Sequence, residues 1–222
     1  MKITLPASLA LFAAALMTAA TAVQAQEVKG DAAAGEKKNA MCIGCHGIPG
    51  YQASFPEIYK VPMIAGQNGK YIAAALHAYK KGERKHPTMR GIAESLSEQD
   101  MADLAAFYEA QGGTPAAVPE APAAADAKTA ELLTKGACNT CHGPNYNKPI
   151  DGSYPKLAGQ HADFLLAALK AYKTEGNPQV GRGNAIMAAQ AKNFSNAELK
   201  AIAKYLASLP GDLKTVPESK FR

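Results

Sequence analysis

All four cysteines of this chain fall into two copies of one pattern, Cys42-Ile43-Gly44-Cys45-His46 and Cys138-Asn139-Thr140-Cys141-His142. Two thiols one helical turn apart beside an imidazole suit three chemistries: dithiol exchange, a zinc site, or covalent haem attachment. Dithiol exchange of the thioredoxin kind sits in a βαβ context, and no such alternation is visible. A structural zinc site needs four ligands at one point, whereas the two motifs lie in different halves of the chain. C-x-x-C-H is the attachment signature of c-type haem, in which the thiols add to the two vinyl groups and the histidine lies beneath the iron. The sequence therefore predicts two covalently bound haem c groups, attached through Cys42, Cys45, Cys138 and Cys141. His46 and His142 are the predicted proximal ligands.

The sixth ligand separates a carrier from a catalyst. Low-spin cytochromes c use methionine or a second histidine. Met187 is the sole methionine of the second half, while Met41, Met63, Met89 and Met101 compete in the first. Aligning the halves decides among them. Met89 stands before Ser97 as Met187 stands before Ser195. Met101 aligns with Leu199 on an apolar helix face, and Met63 aligns with Lys156. Met41 precedes the first cysteine, from which the far side of the iron is hard to reach. Met89 and Met187 are the predicted distal ligands. The competing role for both is filling gaps in the core. His77, His86 and His161 align with Lys170, Asn184 and Asn68, so none is expected to ligate in both units, and all three are expected at exposed positions. His86, just before Met89, is the one rival for the first iron. Pro62 and Pro155, downstream of each motif, could offer a backbone carbonyl to the proximal imidazole or form a rigid turn.

The elements that must position these residues repeat as well. Pro62-Met63-Ile64-Ala65-Gly66-Gln67 matches Pro155-Lys156-Leu157-Ala158-Gly159-Gln160, and internal repeats of this kind mark duplicated units. Each copy reads as all helical. Asp31 can cap a helix running to about Met41. Ile72, Ala75, Leu76 and Tyr79 give helical spacing over 70–81, with Gly82 as a stop. Ser97 with Asp100, and Ser195 with Glu198, form capping boxes for a last helix, with Leu104, Phe107 and Tyr108, or Leu199, Ile202, Tyr205 and Leu206, on the buried side. No strand is expected. A Pro- and Ala-rich stretch, 112–126, reads as a semi-rigid linker. It divides a first unit, 26–111, from a second, 127–222. Units this small bury little apolar surface unaided, a deficit that a large apolar cofactor would make up.

Residues 1–25 read as a cleaved signal peptide. Lys2 supplies the positive start, an Ala- and Leu-rich stretch follows, and Val23-Gln24-Ala25 offers the cleavage site before Gln26. That predicts export, and a periplasmic location. The 222-residue chain carries a net charge of +5, most of it in the second unit, where the lysines read as a solvated helix face. No Arg-rich tract or basic–aromatic interleaving is present, so nucleic-acid binding is not expected.

Tandem units with C-x-x-C-H, a P-x-[IL]-A-G-Q block and a distal methionine resemble the dihaem cytochrome c4 family. The resemblance covers the whole of 26–222. It implies two tandem cytochrome c-like helical domains, two His/Met haems, and carbonyls of Pro62 and Pro155 holding His46 and His142. It also implies a periplasmic carrier, often membrane-associated, with no enzymatic activity. Such a carrier takes electrons from the respiratory chain to a terminal oxidase, commonly of the cbb3 type. A small dihaem peroxidase, a thiosulfate dehydrogenase or a gas sensor would need one iron open or differently ligated. Two departures from the family pattern stand out. The first unit has a longer loop, Ile48 to Val61, after its motif. Gly35, where the family packs its first helix on its last, has Glu131 as its counterpart in the second unit.

Overall fold

A computed structural model describes residues 28–112 and 118–217. The signal-peptide expectation for 1–25 lies outside the described residues, as do linker residues 113–117. Ten helices and four two-residue strands are formed among the described residues.

In the first unit, α1 (Ala32–Lys38) and α2 (Ala40–His46) stand where one helix was expected. Asp31 caps α1 by accepting from the Ala33 and Ala34 amides. The chain bends at Asn39, and α2 carries the whole of the first C-x-x-C-H motif. Two antiparallel strands follow, β1 (Gln52–Ala53) and β2 (Tyr59–Lys60). Next come α3 (Gly69–Lys80), β3 (Arg84–Lys85) and α4 (Pro87–Glu94). α5 (Glu98–Ala110) begins with the Ser97–Asp100 capping box and ends the unit. Ile72, Leu104, Phe107 and Tyr108 form its core, with Cys42 against them. Gly35 allows α1 to lie directly on α5: a Cβ there would stand 2.2 Å from the Asp103 carbonyl oxygen and 2.7 Å from Phe107 Cβ.

The second unit repeats the plan with α6 (Ala127–Lys135), α7 (Asn139–His142) and α8 (Ala162–Lys173). Strand β4 (Gly181–Arg182), α9 (Ala185–Lys192) and α10 (Asn196–Ser208) complete it. The Ser195–Glu198 capping box opens α10. Glu131 is exposed; α6 instead turns Thr129, Leu132 and Leu133 inward. Leu132 and Leu133 join Leu165, Leu199, Ile202 and Leu206 in the core, with Cys138 packed against it. Side-chain packing thus replaces the close backbone approach that Gly35 permits.

The strands correct the strand-free expectation. β1 and β2 arise within the longer first loop, whose tip reaches the second unit. The Lys60 amide donates to Asp163 Oδ2 (3.1 Å), Lys170 Nζ pairs with Glu57, and Tyr59 packs on Phe164. β3 and β4 pair across the units, Arg84 opposite Arg182 and Lys85 opposite Gly181. The C-terminal segment also crosses: the Lys214 amide donates to the Ala65 carbonyl (3.0 Å), and Val216 packs on the first core. The far half of the linker lies along the second unit, where Asn145 Nδ2 donates to Pro119 O and Tyr205 Oη to Ala123 O.

Candidate functional site: two C-x-x-C-H centres

Helices α2 and α7 each end on a histidine whose ring is fixed from one side. His46 Nδ1 lies 2.8 Å from the Pro62 carbonyl oxygen, and His142 Nδ1 lies 3.1 Å from that of Pro155. The peptide oxygen fixes the tautomer: Nδ1 carries the proton and Nε2 keeps a free lone pair, the arrangement an imidazole needs to ligate a metal. Burial pushes both imidazoles below their usual pKa and the carbonyls oppose this only in part. Both rings are therefore neutral at pH 7. Of the two roles open to Pro62 and Pro155, the structure shows the hydrogen-bonding one.

None of the four cysteines forms a disulfide. Burial raises the thiol pKa of Cys42 and Cys138, with Tyr108 hydrogen-bonding the former. Each unit thus offers two free thiols and one neutral imidazole in or at the start of one short helix, a donor set that fits haem c. Among the described residues no cluster of three or more His, Cys, Asp and Glu could hold a bare metal ion.

A second observation concerns the rest of such a cofactor. Arg84 donates to Tyr71 Oη (3.0 Å), lies 4.7 Å above the Tyr79 ring, and leaves its buried Nε without a partner. Arg182 faces it across the β3–β4 pair, over Phe164 and Tyr172. Both guanidiniums pull the Tyr71 hydroxyl below its usual pKa, against the effect of burial. Among the described residues no carboxylate forms an ion pair with either arginine. Burying charge without a counter-ion is costly, and the haem propionates are carboxylates that would satisfy these cations.

Met89 and Met187 occupy matching places, third in α4 and third in α9, helices the sequence reading did not anticipate. The Met89 amide donates to His86 Nδ1 (3.3 Å) and the Met187 amide to Asn184 Oδ1 (2.9 Å). His86 and Asn184 are thus counterparts because both cap the helix that carries the methionine. The expectation that His86 is exposed is corrected: it is partly buried, edge-on to Phe55 and hydrogen-bonded to that residue's backbone. His77 and His161 are partly buried as well, the former 3.3 Å from Glu98, the latter at the N-cap position of α8 without a side-chain cap hydrogen bond. Of the other methionines, Met101 is wholly buried in the first unit and Met41 is exposed.

Sequence reasoning missed Gln67 and Gln160. Both are almost fully buried, and each reaches into the opposite unit. Their recurrence at the end of the P-x-[IL]-A-G-Q block was the available signal.

A family model described as "Cytochrome c" matches the chain twice, at residues 32–110 and 127–210. Cytochrome c4 of Azotobacter vinelandii is 34% identical over 197 residues, covering 81% of this chain and 90% of that protein. The chain belongs to the dihaem cytochrome c4 family. A reduced cytochrome c4 from Pseudomonas stutzeri has a similar structure, with TM-score 0.59 and 29% identity, covering 81% of this chain and 99% of that one. A protein of Thiomonas intermedia named thiosulfate dehydrogenase electron acceptor is 32% identical, covering 80% of this chain and 82% of its own length. Membership makes the chain an electron-transfer protein with two covalently attached haem c groups.

Proposed function

We propose that this protein is a periplasmic, non-enzymatic carrier with two six-coordinate His/Met haems, moving electrons from the respiratory chain to a terminal oxidase. Cys42 and Cys45 would hold the first haem, with His46 and Met89 as ligands to its iron. Cys138 and Cys141 would hold the second, with His142 and Met187. The observation that carries the reading is the pair of hydrogen bonds from His46 and His142 Nδ1 to Pro62 and Pro155, which leave Nε2 for iron. Haem supplies a one-electron iron couple, and the chain orients and insulates it. The capped first turns of α4 and α9 fix the backbones of Met89 and Met187. His86, the rival ligand, already uses its ring in the cap and against Phe55. Arg84 and Arg182 would offset the charge of the propionates. Among the described residues no helix is long and apolar enough to cross a membrane.

The physiological donor has a second reading. Two relatives, 32% and 31% identical, are named thiosulfate dehydrogenase electron acceptor. That name favours electron entry from a sulfur-oxidising enzyme, with the oxidase, commonly of cbb3 type, as exit.

Ferrous spectra with and without carbon monoxide test the ligation. Two covalent low-spin haems per chain, both indifferent to carbon monoxide, are expected. Met89→Ala and Met187→Ala should each open one haem to it. Carbon monoxide binding in the unaltered protein, or first-haem binding produced by His86→Ala and not by Met89→Ala, refutes the assignment.

A further inference from the structure

The two repeated glutamines do more than glue the units together. Gln160 belongs to the second unit, yet its Oε1 accepts from the Met63 amide (3.0 Å) and its Nε2 donates to the Met63 carbonyl (2.9 Å). Gln67 of the first unit does the same to Lys156 of the second: the Lys156 amide donates to Gln67 Oε1 (2.8 Å), and Gln67 Nε2 donates to the Lys156 carbonyl (3.0 Å).

The Met63 N–H and the Pro62 C=O belong to one peptide group. That group therefore accepts from His46 on one side and donates to Gln160 on the other. Likewise, the Pro155–Lys156 peptide accepts from His142 and donates to Gln67. A hydrogen bond at a peptide's N–H polarises it and strengthens its C=O as an acceptor, by about 10–30% per bond in such chains. A stronger acceptor draws the Nδ1 proton outward and gives the imidazole more anionic character, which favours ferric over ferrous iron.

We propose that Gln160 and Gln67 are positioning residues that tune the haems crosswise: the second unit sets the electron affinity of the first haem through Gln160, and the first unit sets that of the second through Gln67. The proposal rests on the reading of His46 and His142 as axial ligands. Burial supports it, since Gln67 and Gln160 are 4% and 3% exposed and water cannot readily take their place. Gly66 and Gly159 contribute, with φ of 83° and 76°, turning the chain so that each glutamine leaves its own unit.

Gln160→Met keeps an unbranched side chain of similar size and removes both hydrogen bonds. The test reads the Nδ1–H resonances of the two proximal histidines in the ferrous holoprotein, together with the equilibrium that distributes one electron between the haems. Gln160→Met should move the His46 resonance upfield, leave that of His142 in place, and shift the electron about three- to tenfold toward the first haem. Gln67→Met should do the reverse, and it reads the same device independently if either variant folds poorly. A shift of the histidine in the glutamine's own unit, equal shifts of both, or no shift overturns the relay. Equal shifts mean that the interface has merely loosened. The ligand reading fails in a different way: the unaltered ferrous protein would then lack, for His46 or His142, the strongly upfield resonances that a haem ring imposes on an axial imidazole.

Discussion

Gly143 and Gly47 hold the same place, directly after the proximal histidine, and the structure expects opposite tolerances. Gly143 has φ 78° and ψ 162°, a region open essentially to glycine, with a cost of about 1–3 kcal/mol for another residue. An alanine Cβ there would also stand 1.9 Å from the Lys148 carbonyl oxygen and 2.7 Å from its carbon. Backbone atoms cannot rotate away, so the turn 143–148 must shift, at about 1–3 kcal/mol more. Gly143→Ala should therefore cost about 2–6 kcal/mol, a large share of a stability near 5–15 kcal/mol. Gly47 has φ −94° and ψ 0°, open to any residue. Its Cβ would lie 2.9 Å from the Ile43 carbonyl oxygen, with other neighbours at 3.3 Å. The Ile43 carbonyl must give by a few tenths of an ångström, at about 1 kcal/mol, and the reduced freedom of the unfolded chain returns about 0.4–1 kcal/mol, so Gly47→Ala should stay within about 1 kcal/mol of the parent. Guanidinium unfolding of the oxidised holoprotein, followed by far-ultraviolet circular dichroism, compares the midpoints, and a haemochrome assay counts haems per chain. Gly143→Ala should lower the midpoint and the second-haem content; Gly47→Ala should do neither. A parent-like midpoint for Gly143→Ala, or equal losses for both, refutes the argument.

Three further outcomes follow from the packing and the charges. Gly35→Ala should destabilise the first unit by about 1–3 kcal/mol, because its Cβ meets the backbone of α5; Glu131→Ala, at the exposed counterpart, should be neutral in the same unfolding assay. Lys38 hydrogen-bonds Asp100 and Asp103 and holds both carboxyls below the usual range, helped at Asp103 by the Asp31 amide. Their contribution to stability is thus complete above the unfolded carboxyl value of about 3.9 and is lost as pH falls through the lower folded values; Lys38→Met should flatten that acid limb in a pH series of melting temperatures. If Arg84 faces the propionates as proposed, Arg84→Gln removes a cation beside them, so the first haem should become harder to reduce, with a shift in potential up to about 59 mV for a tenfold change in a one-electron couple, read by spectroelectrochemical titration.

The expectation of two covalently attached haems was legible from residue spacing, because C-x-x-C-H depends only on neighbours within one helical turn; the proposed assignment of His46 and His142 as ligands is carried by the same spacing. The capping boxes at Ser97 and Ser195 are equally local, and the core faces of α5 and α10 follow from helical periodicity. Helices α4 and α9 escaped notice because each is short and begins at a cap, His86 or Asn184, that carries little apolar pattern. The four strands escaped because two residues have no period to read.

Comparing the two copies in the sequence also established which residues are equivalent: Gln67 with Gln160, Pro62 with Pro155, Met89 with Met187. It left open which residues touch. The tertiary structure alone sets Gln160 on Met63, Gln67 on Lys156 and Arg84 opposite Arg182. Partners some ninety residues apart leave no mark in local spacing, and a duplicated unit offers each glutamine the same contact within its own copy or across to the other. Packing the two units face to face, with the first unit's long hairpin on α8 and the C-terminal segment returning to Ala65, selects the crossed pairing.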